Sequence, residues 1–171
     1  MINSKTIKMR YVEEADAEFI LKLRLDERYN QFLSEVKADL ESQKNWIRAY
    51  KKDELDKKQF YFIIERLDGT PCGTVRIYGL KDDSFSWGSW ILNEDKTRYS
   101  AIESALMVYE FGFNKLKFNK SHFEVMKDNI RVVNFHKKFG AQQVSVDNVN
   151  YYFSITKEAV QKSYDKFKGI L

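Results

Sequence analysis

Apolar and polar residues alternate along TIKMRYV (6–12), the period of two that suits a half-buried strand. The period then lengthens. Within EEADAEFILKLRL, Ala17, Ile20, Leu21 and Arg24 recur at helical spacing, so a strand and then a helix open the chain. DLESQKNWIRAYKK repeats the helical signal, with Asp39 suited to an N-cap and Leu40, Gln43, Ile47 and Tyr50 along one face. Between the two helices YNQFLSEVKA reads as a polar and aromatic loop. From residue 59 the pattern changes: QFYFIIERL, PCGTVRIYGL and SFSWGSWIL are rich in β-branched and aromatic residues and are joined by the turns DGT and KDD. They predict an antiparallel meander of three strands. SAIESALMVYEFGF follows as a helix, apolar enough to pack on a sheet, with Ala101, Ala105, Val108 and Gly112 on one stripe. SHFEVMKDN alternates as another strand, and IRVVNFHKKF is a buried helix closed by Gly140 at its C′ position. NYYFSI reads as a last strand, and KEAVQKSYDKFKGIL as an amphipathic helix with Val160, Tyr164, Phe167 and Leu171 in line. The expected class is mixed α/β (α+β).

Length and composition narrow this further. A chain of 171 residues with 43% hydrophobic content suffices for one substantial core, and seven glycines and one proline leave no linker, so residues 1–171 are expected to form one domain. Cys72 is the only cysteine, which removes an intrachain disulfide, a zinc cluster and a CxxC redox pair; no metal is expected. Flanked by Pro71 and Gly73, it reads as a small residue at a strand start. The N-terminus lacks a signal-peptide core and no window resembles a membrane span, so a cytoplasmic protein is expected, with no membrane partner. The net charge of +4 is spread through runs of mixed sign such as KKDELDKK. That argues for solvated helix surfaces and against nucleic acid as a partner, while favouring anionic small ligands.

Three places carry candidate chemistry. In NEDKTRYSAIESAL a strand feeds a buried helix whose free N–H groups, with Lys96 and Arg98, suit an anion; alternatively, Ser100 and Glu103 match a capping box that would satisfy those donors internally. Asn129 and His136, seven residues apart, lie near one helical stripe and can look toward one cleft. A histidine there transfers protons near neutral pH, or only packs. In SFSWGSWIL, Trp87 and Trp90 are expected on opposite faces because the strand period is two, with Gly88 leaving the backbone approachable or marking a bulge. His122 lies on a strand and completes no convincing triad or metal set.

The order of elements together with Asn129, His136 and Gly140, in the spacing N-x6-H-x3-G-A, resembles the GNAT acyltransferase superfamily over roughly residues 6 to 156. That resemblance implies a mostly antiparallel central sheet with helices on both faces, to which the C-terminal helix is added. It implies acetyl-CoA as co-substrate, lying where the family's fourth and fifth strands, here SFSWGSWIL and SHFEVMKDN, splay apart. The family's pyrophosphate loop, Q/R-x-x-G-x-G/A, corresponds to KTRYSA, so Lys96, Arg98, Tyr99, Ser100 and Ala101 are candidate CoA contacts, along with Asn129 and Phe135; Tyr99 stands where a glycine is usual. Transfer is expected directly to an amine in a ternary complex. By resemblance a main-chain N–H near Ile91 or Leu92 polarises the thioester, and His136 stands where a tyrosine usually protonates the departing thiolate. The family's base position falls on Ser86, which leaves Glu124 or a chain of waters as the base.

LRLDERYNQFLSE, SQKNWI and FYFIIERLDGTPCGTVRIYG are most similar to the branch that acetylates nucleotide-linked amino sugars for surface glycans. Arg24, Arg28, Lys37 and Arg76 suit a diphosphate, Asn30 and Gln31 suit sugar hydroxyls, and Trp87 is a further acceptor candidate. N-terminal protein acetylation, polyamine acetylation and a non-catalytic acyl-CoA sensor stand as alternatives, and a homodimer is compatible with the resemblance.

Overall fold

The computed structural model describes residues 2–169. Its strands are β1 (Ile2–Asn3), β2 (Ile7–Tyr11), β3 (Phe60–Arg66), β4 (Pro71–Lys81), β5 (Ser84–Leu92), β6 (Lys120–Met126), β7 (Gln142–Val146) and β8 (Asn150–Thr156). The helices are α1 (Ala17–Leu25), α2 (Leu40–Leu55), α3 (Ser100–Glu110), α4 (Ile130–Phe139) and α5 (Lys157–Phe167). The strands form one sheet in the order β1-β2-β3-β4-β5-β6-β8-β7, antiparallel except for the β5–β6 pair. The expected meander is β3, β4 and β5.

Strand alternation divides the core between the two faces. Phe62 and Ile64 of β3 point into a large cluster with α3, α4 and α5, whereas Tyr61 and Ile63 point to the opposite face and pack with Ala17 and Ile20 of α1 and Ile47 and Tyr50 of α2. α1 and α2 reach the sheet by residues of the stripes that their sequence spacing marks. Two ends are built as their residues dictate: the Asp39 side chain accepts from the Glu41 amide at the start of α2, and Gly140 takes φ +108° to close α4.

β1 and β7 are not marked by the hydrophobic pattern. β7 is an edge strand exposed at all five positions, so no face of it needs apolar residues. The stripe expected on α5 is only partly buried: Val160 is covered, Tyr164 is exposed, and Leu171 lies outside the described residues.

α3 ends in a π turn, Phe111–Lys115, where Gly112 lets the Phe85 ring rest on the backbone. A methyl group at Gly112 would lie 2.1 Å from that ring. Phe85 is itself fully buried against Tyr109, Phe113 and Phe118, so it has nowhere to move. Gly112→Ala is expected to cost about 2 kcal/mol of stability by overpacking, read from the urea midpoint.

Candidate active site

β5 and β6 pair only at Ser84↔Lys120 and Phe85↔Ser121. The Ser121 hydroxyl donates to the Phe85 carbonyl at 2.7 Å and pins this junction. Beyond it β5 runs on to Leu92 and β6 to Met126 without pairing, so a V-shaped gap opens between them. A bulge shapes its β5 wall. The register with β4 shifts between Arg76↔Gly88 and Thr74↔Ile91, and Ser89 adopts φ +47°. The extra residue reverses the alternation, which corrects the expectation that Trp87 and Trp90 face opposite ways. Their rings lie 5.1 Å apart on one side, and their indole N–H groups donate to Tyr109 and Ser104 of α3. Trp87 is buried in the core, on the face away from α1 and α2.

The histidine of α4 meets this gap from the core side. The His136 ring is 4.3 Å from Phe123 of β6 and 5.3 Å from Trp87 of β5, with Trp90, Phe135 and Phe153 around it. The imidazole therefore bridges the two splayed strands from below. It is only 4% exposed, its Nδ1 has no hydrogen-bond partner, and burial pushes its pKa down to about 3. This burial favours the neutral form of the ring. Phe135 is half-buried and packs edge-on against Trp90 at 5.1 Å. Asn129 opens α4 and accepts from the Val133 amide through its carbonyl, and its side chain has no hydrogen-bond partner among the described residues.

At the mouth of the gap Asn93 donates to the Cys72 carbonyl of β4 at 2.8 Å. Alternation then directs the Ile91 amide at β4 and the Leu92 amide at the open edge, which separates the two expected donors. The loop into α3 follows. Ser100 and Glu103 do not form a capping box: the Ser100 hydroxyl accepts from the Thr97 amide, and the buried Glu103 carboxylate accepts from the Thr6 amide and hydroxyl at the start of β2. The amides of Arg98, Tyr99, Ala101 and Ile102 consequently have no protein acceptor among the described residues. Four unbonded N–H groups at a helix start make a nest for an anion. Arg98 lies over the Tyr99 ring at 5.2 Å, and Lys96 is exposed beside it.

On the opposite face of the sheet, a cavity of about 590 Å³ lies between α1, the segment after it, α2 and β4. Arg24, Arg76, Tyr61, Trp46 and Ser89 line it. Arg24 donates to the carbonyl and hydroxyl of Ser34 at 2.8 Å, and Arg76 to Gln59 at 3.2 Å while covering the Tyr78 ring at 4.5 Å. Neither guanidinium has an ion-pair partner among the described residues, and both Nε atoms are buried and unpartnered. Desolvation, with the like charge of Arg24 nearby, lowers the Arg76 pKa. Glu35 and Lys37 also line the cavity, and because Glu35 forms no ion pair with either arginine among the described residues, the two neighbouring guanidiniums keep donors for an anion.

Asn30 and Gln31 do not line this cavity; the Asn30 amide is committed to the Arg24 carbonyl at 3.1 Å, near the end of α1. Arg28 instead pairs with Asp26 and Glu94 at the surface. Trp46, 40% exposed on α2, is a cavity wall that sequence reasoning missed, although an indole just off the buried stripe of a polar helix was a legible signal.

Ser86 sits where the gap begins, buried, with its hydroxyl unpartnered, and Glu124 is exposed two residues beyond His122 on β6. Cys72 is buried, its thiol raised to about 11 by desolvation, as suits a packing residue. No described helix is long and apolar enough to cross a membrane.

The profile of the acetyltransferase (GNAT) domain family matches residues 6–142. Among solved structures, a nucleotide-linked sugar GNAT, FdhC in its apo form, is 47% identical, with a TM-score of 0.90 over 98% of this chain and 96% of that one. Spermidine N-acetyltransferase from Vibrio cholerae in complex with CoA and spermine superposes with a TM-score of 0.76 over 91% of this chain and 98% of that one, at 15% identity. A putative acetyltransferase from T. thermophilus gives 0.80 over 99% and 96%, at 14% identity. These last two show the fold alone. No curated protein sequence matches the chain.

Proposed function

The chain belongs to the GNAT acetyltransferase family, and from that premise we propose that it moves the acetyl group of acetyl-CoA to the amino group of a nucleotide-linked amino sugar. The observation that carries the acceptor is the Arg24–Arg76 pair, two half-buried guanidiniums whose buried Nε donors are free and which have no ion-pair partner among the described residues. A polyamine would meet like charge there, whereas a diphosphate satisfies both guanidiniums through charge-assisted hydrogen bonds. Trp46 offers a face on which a nucleobase stacks. The 47% identity to a nucleotide-linked sugar GNAT supports the same reading. Acylated sugars of this kind are building blocks of surface glycans, the use expected for the product.

The residues divide the work between the two faces. The amides of Arg98, Tyr99, Ala101 and Ile102 bind the CoA pyrophosphate, and Lys96 and Arg98 add positive charge. Tyr99 replaces the usual loop glycine without blocking this nest, because its ring turns under the Arg98 guanidinium. The pantetheine arm follows the free edge of β5, where the Leu92 amide is a candidate donor to the arm, and the thioester lies further along toward the β5–β6 junction. Phe135, Trp90 and His136 form an aromatic floor beneath the gap. The thiolate, with a pKa near that of a cysteine, about 8.5, leaves beside a neutral imidazole and takes its proton from solvent.

Incubation with acetyl-CoA and separate panels of nucleotide amino sugars, polyamines and N-terminal peptides, read by the mass of each acceptor, tests the reading. Gain of one acetyl group on a nucleotide amino sugar alone is the expected result. Acetylation of a polyamine or a peptide instead replaces the acceptor, and CoA binding without transfer to any amine favours a sensor.

A further inference from the structure

His122 is the second of two histidines in the chain, and the roles described so far leave it unused. It is the first residue of β6 beyond the last β5–β6 pair, so it stands at the vertex of the gap. Its Nδ1 lies 2.5 Å from the Ser84 hydroxyl of β5, which fixes the ring across the junction. The other nitrogen, Nε2, makes no protein hydrogen bond among the described residues. A methyl group placed on Gly79 of β4 would lie 3.9 Å from Nε2 and 3.3 Å from the Ser86 Cβ, so imidazole and serine flank one spot. Ser86, on one side of that spot, is the position at which the resemblance places the family's glutamate.

The surroundings lead from that spot to the acceptor cavity. Arg76 and Tyr78 precede Gly79 on β4, and a methyl group on Gly88 would lie 3.1 Å from the Tyr78 hydroxyl. One strand face thus runs from the paired guanidiniums past Tyr78 to His122. An acceptor anchored by its diphosphate at Arg24 and Arg76 extends its sugar along this path toward the vertex.

We infer that His122 is the general base of the transfer, supplied by β6 in place of the missing β5 carboxylate, with Ser84 as the positioning residue that holds its ring. This rests on the acetyltransferase reading above. With the Nδ1 proton donated to Ser84, the Nε2 lone pair faces the amine. The amine nitrogen forms a bond to the thioester carbonyl carbon, and the carbonyl π pair moves to oxygen. Nε2 takes the proton that the nitrogen sheds. The carbonyl re-forms as the C–S bond breaks, the sulfur leaves with the pair, and solvent returns to it the proton that imidazolium later releases, so the charges balance.

Burial keeps the ring neutral at physiological pH, lowering its pKa below the usual 6.5. Lys81 and Lys120 act in the same direction and Glu124 opposes them, while Ser154 of β8 is the paired neighbour across the strand. A base with a lowered pKa stays competent until the medium becomes acidic, so the acid limb of kcat against pH lies below 6.5.

The test is kcat against pH for the wild type, His122→Gln and Glu124→Gln, with acetyl-CoA and whichever amine of the three panels the wild type acetylates. Glutamine retains a polar group for Ser84 and cannot titrate. His122→Gln is expected to lower kcat by about 10²- to 10³-fold and to erase the acid limb, with the KM for acetyl-CoA unchanged. Exogenous imidazole is expected to restore part of the turnover of His122→Ala. A kcat within about threefold of wild type with the acid limb intact overturns the assignment. So does loss of that limb in Glu124→Gln alone, or absence of wild-type turnover on all three panels. A polyamine or peptide as the accepted amine overturns only the nucleotide-sugar reading, because the limb is read on any acceptor.

Discussion

His136→Phe is expected to leave turnover within about tenfold of wild type and to remove a large part of the protein's loss of stability in acid. The imidazole is sealed among aromatic rings, and its folded pKa is about 3 against 6.5 when exposed. Because the folded value is depressed, the unfolded chain binds the proton more readily. Stability from the neutral ring is therefore complete above pH 6.5 and is lost as pH falls toward 3. Between pH 7 and pH 4 that linkage amounts to about 3 kcal/mol. Urea unfolding at these two pH values measures it for wild type and variant, and the carboxylates common to both cancel in the difference. An unchanged pH dependence contradicts the sealed neutral ring. A fall in kcat of more than a hundredfold with intact acetyl-CoA binding restores a role for His136 in proton transfer.

Removal of the paired guanidiniums is the second large effect. Each Arg–phosphate contact is worth roughly 1.5–3 kcal/mol, so Arg24→Met with Arg76→Met is expected to raise the KM for a nucleotide amino sugar by about 10³-fold. Acetyl-CoA binding stays unchanged, because its candidate contacts lie on β5, α4 and the start of α3. The same double variant is expected to unfold at higher urea, since two half-buried like charges with no ion-pair partner among the described residues destabilise the folded state. Weaker acceptor binding and greater stability together distinguish a binding site from a structural one. A matching loss of stability shows that the arginines hold the fold instead.

Most of the architecture was legible in the chain because each buried face is marked by its own period. Ile7 and Met9 of β2 and the α2 stripe through Gln43, Ile47 and Tyr50 pack as their spacing requires. β7 was not legible, because an edge strand exposed on both faces has no apolar face to mark it. The site was legible only where its geometry is local. Asn129, His136 and Gly140 belong to one helix, and the α3 start is continuous in the chain. Trp87 and Trp90 were misread because a single positive φ at Ser89 adds a residue to β5 and inverts the alternation. The state of His136 depends on rings from β5, β6 and β8, which no local spacing records. Ser100 and Glu103 matched a capping box, yet Thr6, remote in sequence, takes the carboxylate. Arg24 and Arg76 were each legible as cations, but their meeting without an ion-pair partner among the described residues is a product of the tertiary fold.

A crystal structure of the ternary complex with CoA and a nucleotide-linked amino sugar bears most directly on the central claim, that two substrates approach from opposite sides and meet where β5 and β6 part. The expected density has the CoA pyrophosphate on the amides of Arg98 to Ile102, its sulfur between β5 and β6, the sugar diphosphate on Arg24 and Arg76, and the amine within hydrogen-bonding distance of His122 Nε2. A gap filled by protein atoms, or a sugar diphosphate bound away from both arginines, contradicts it.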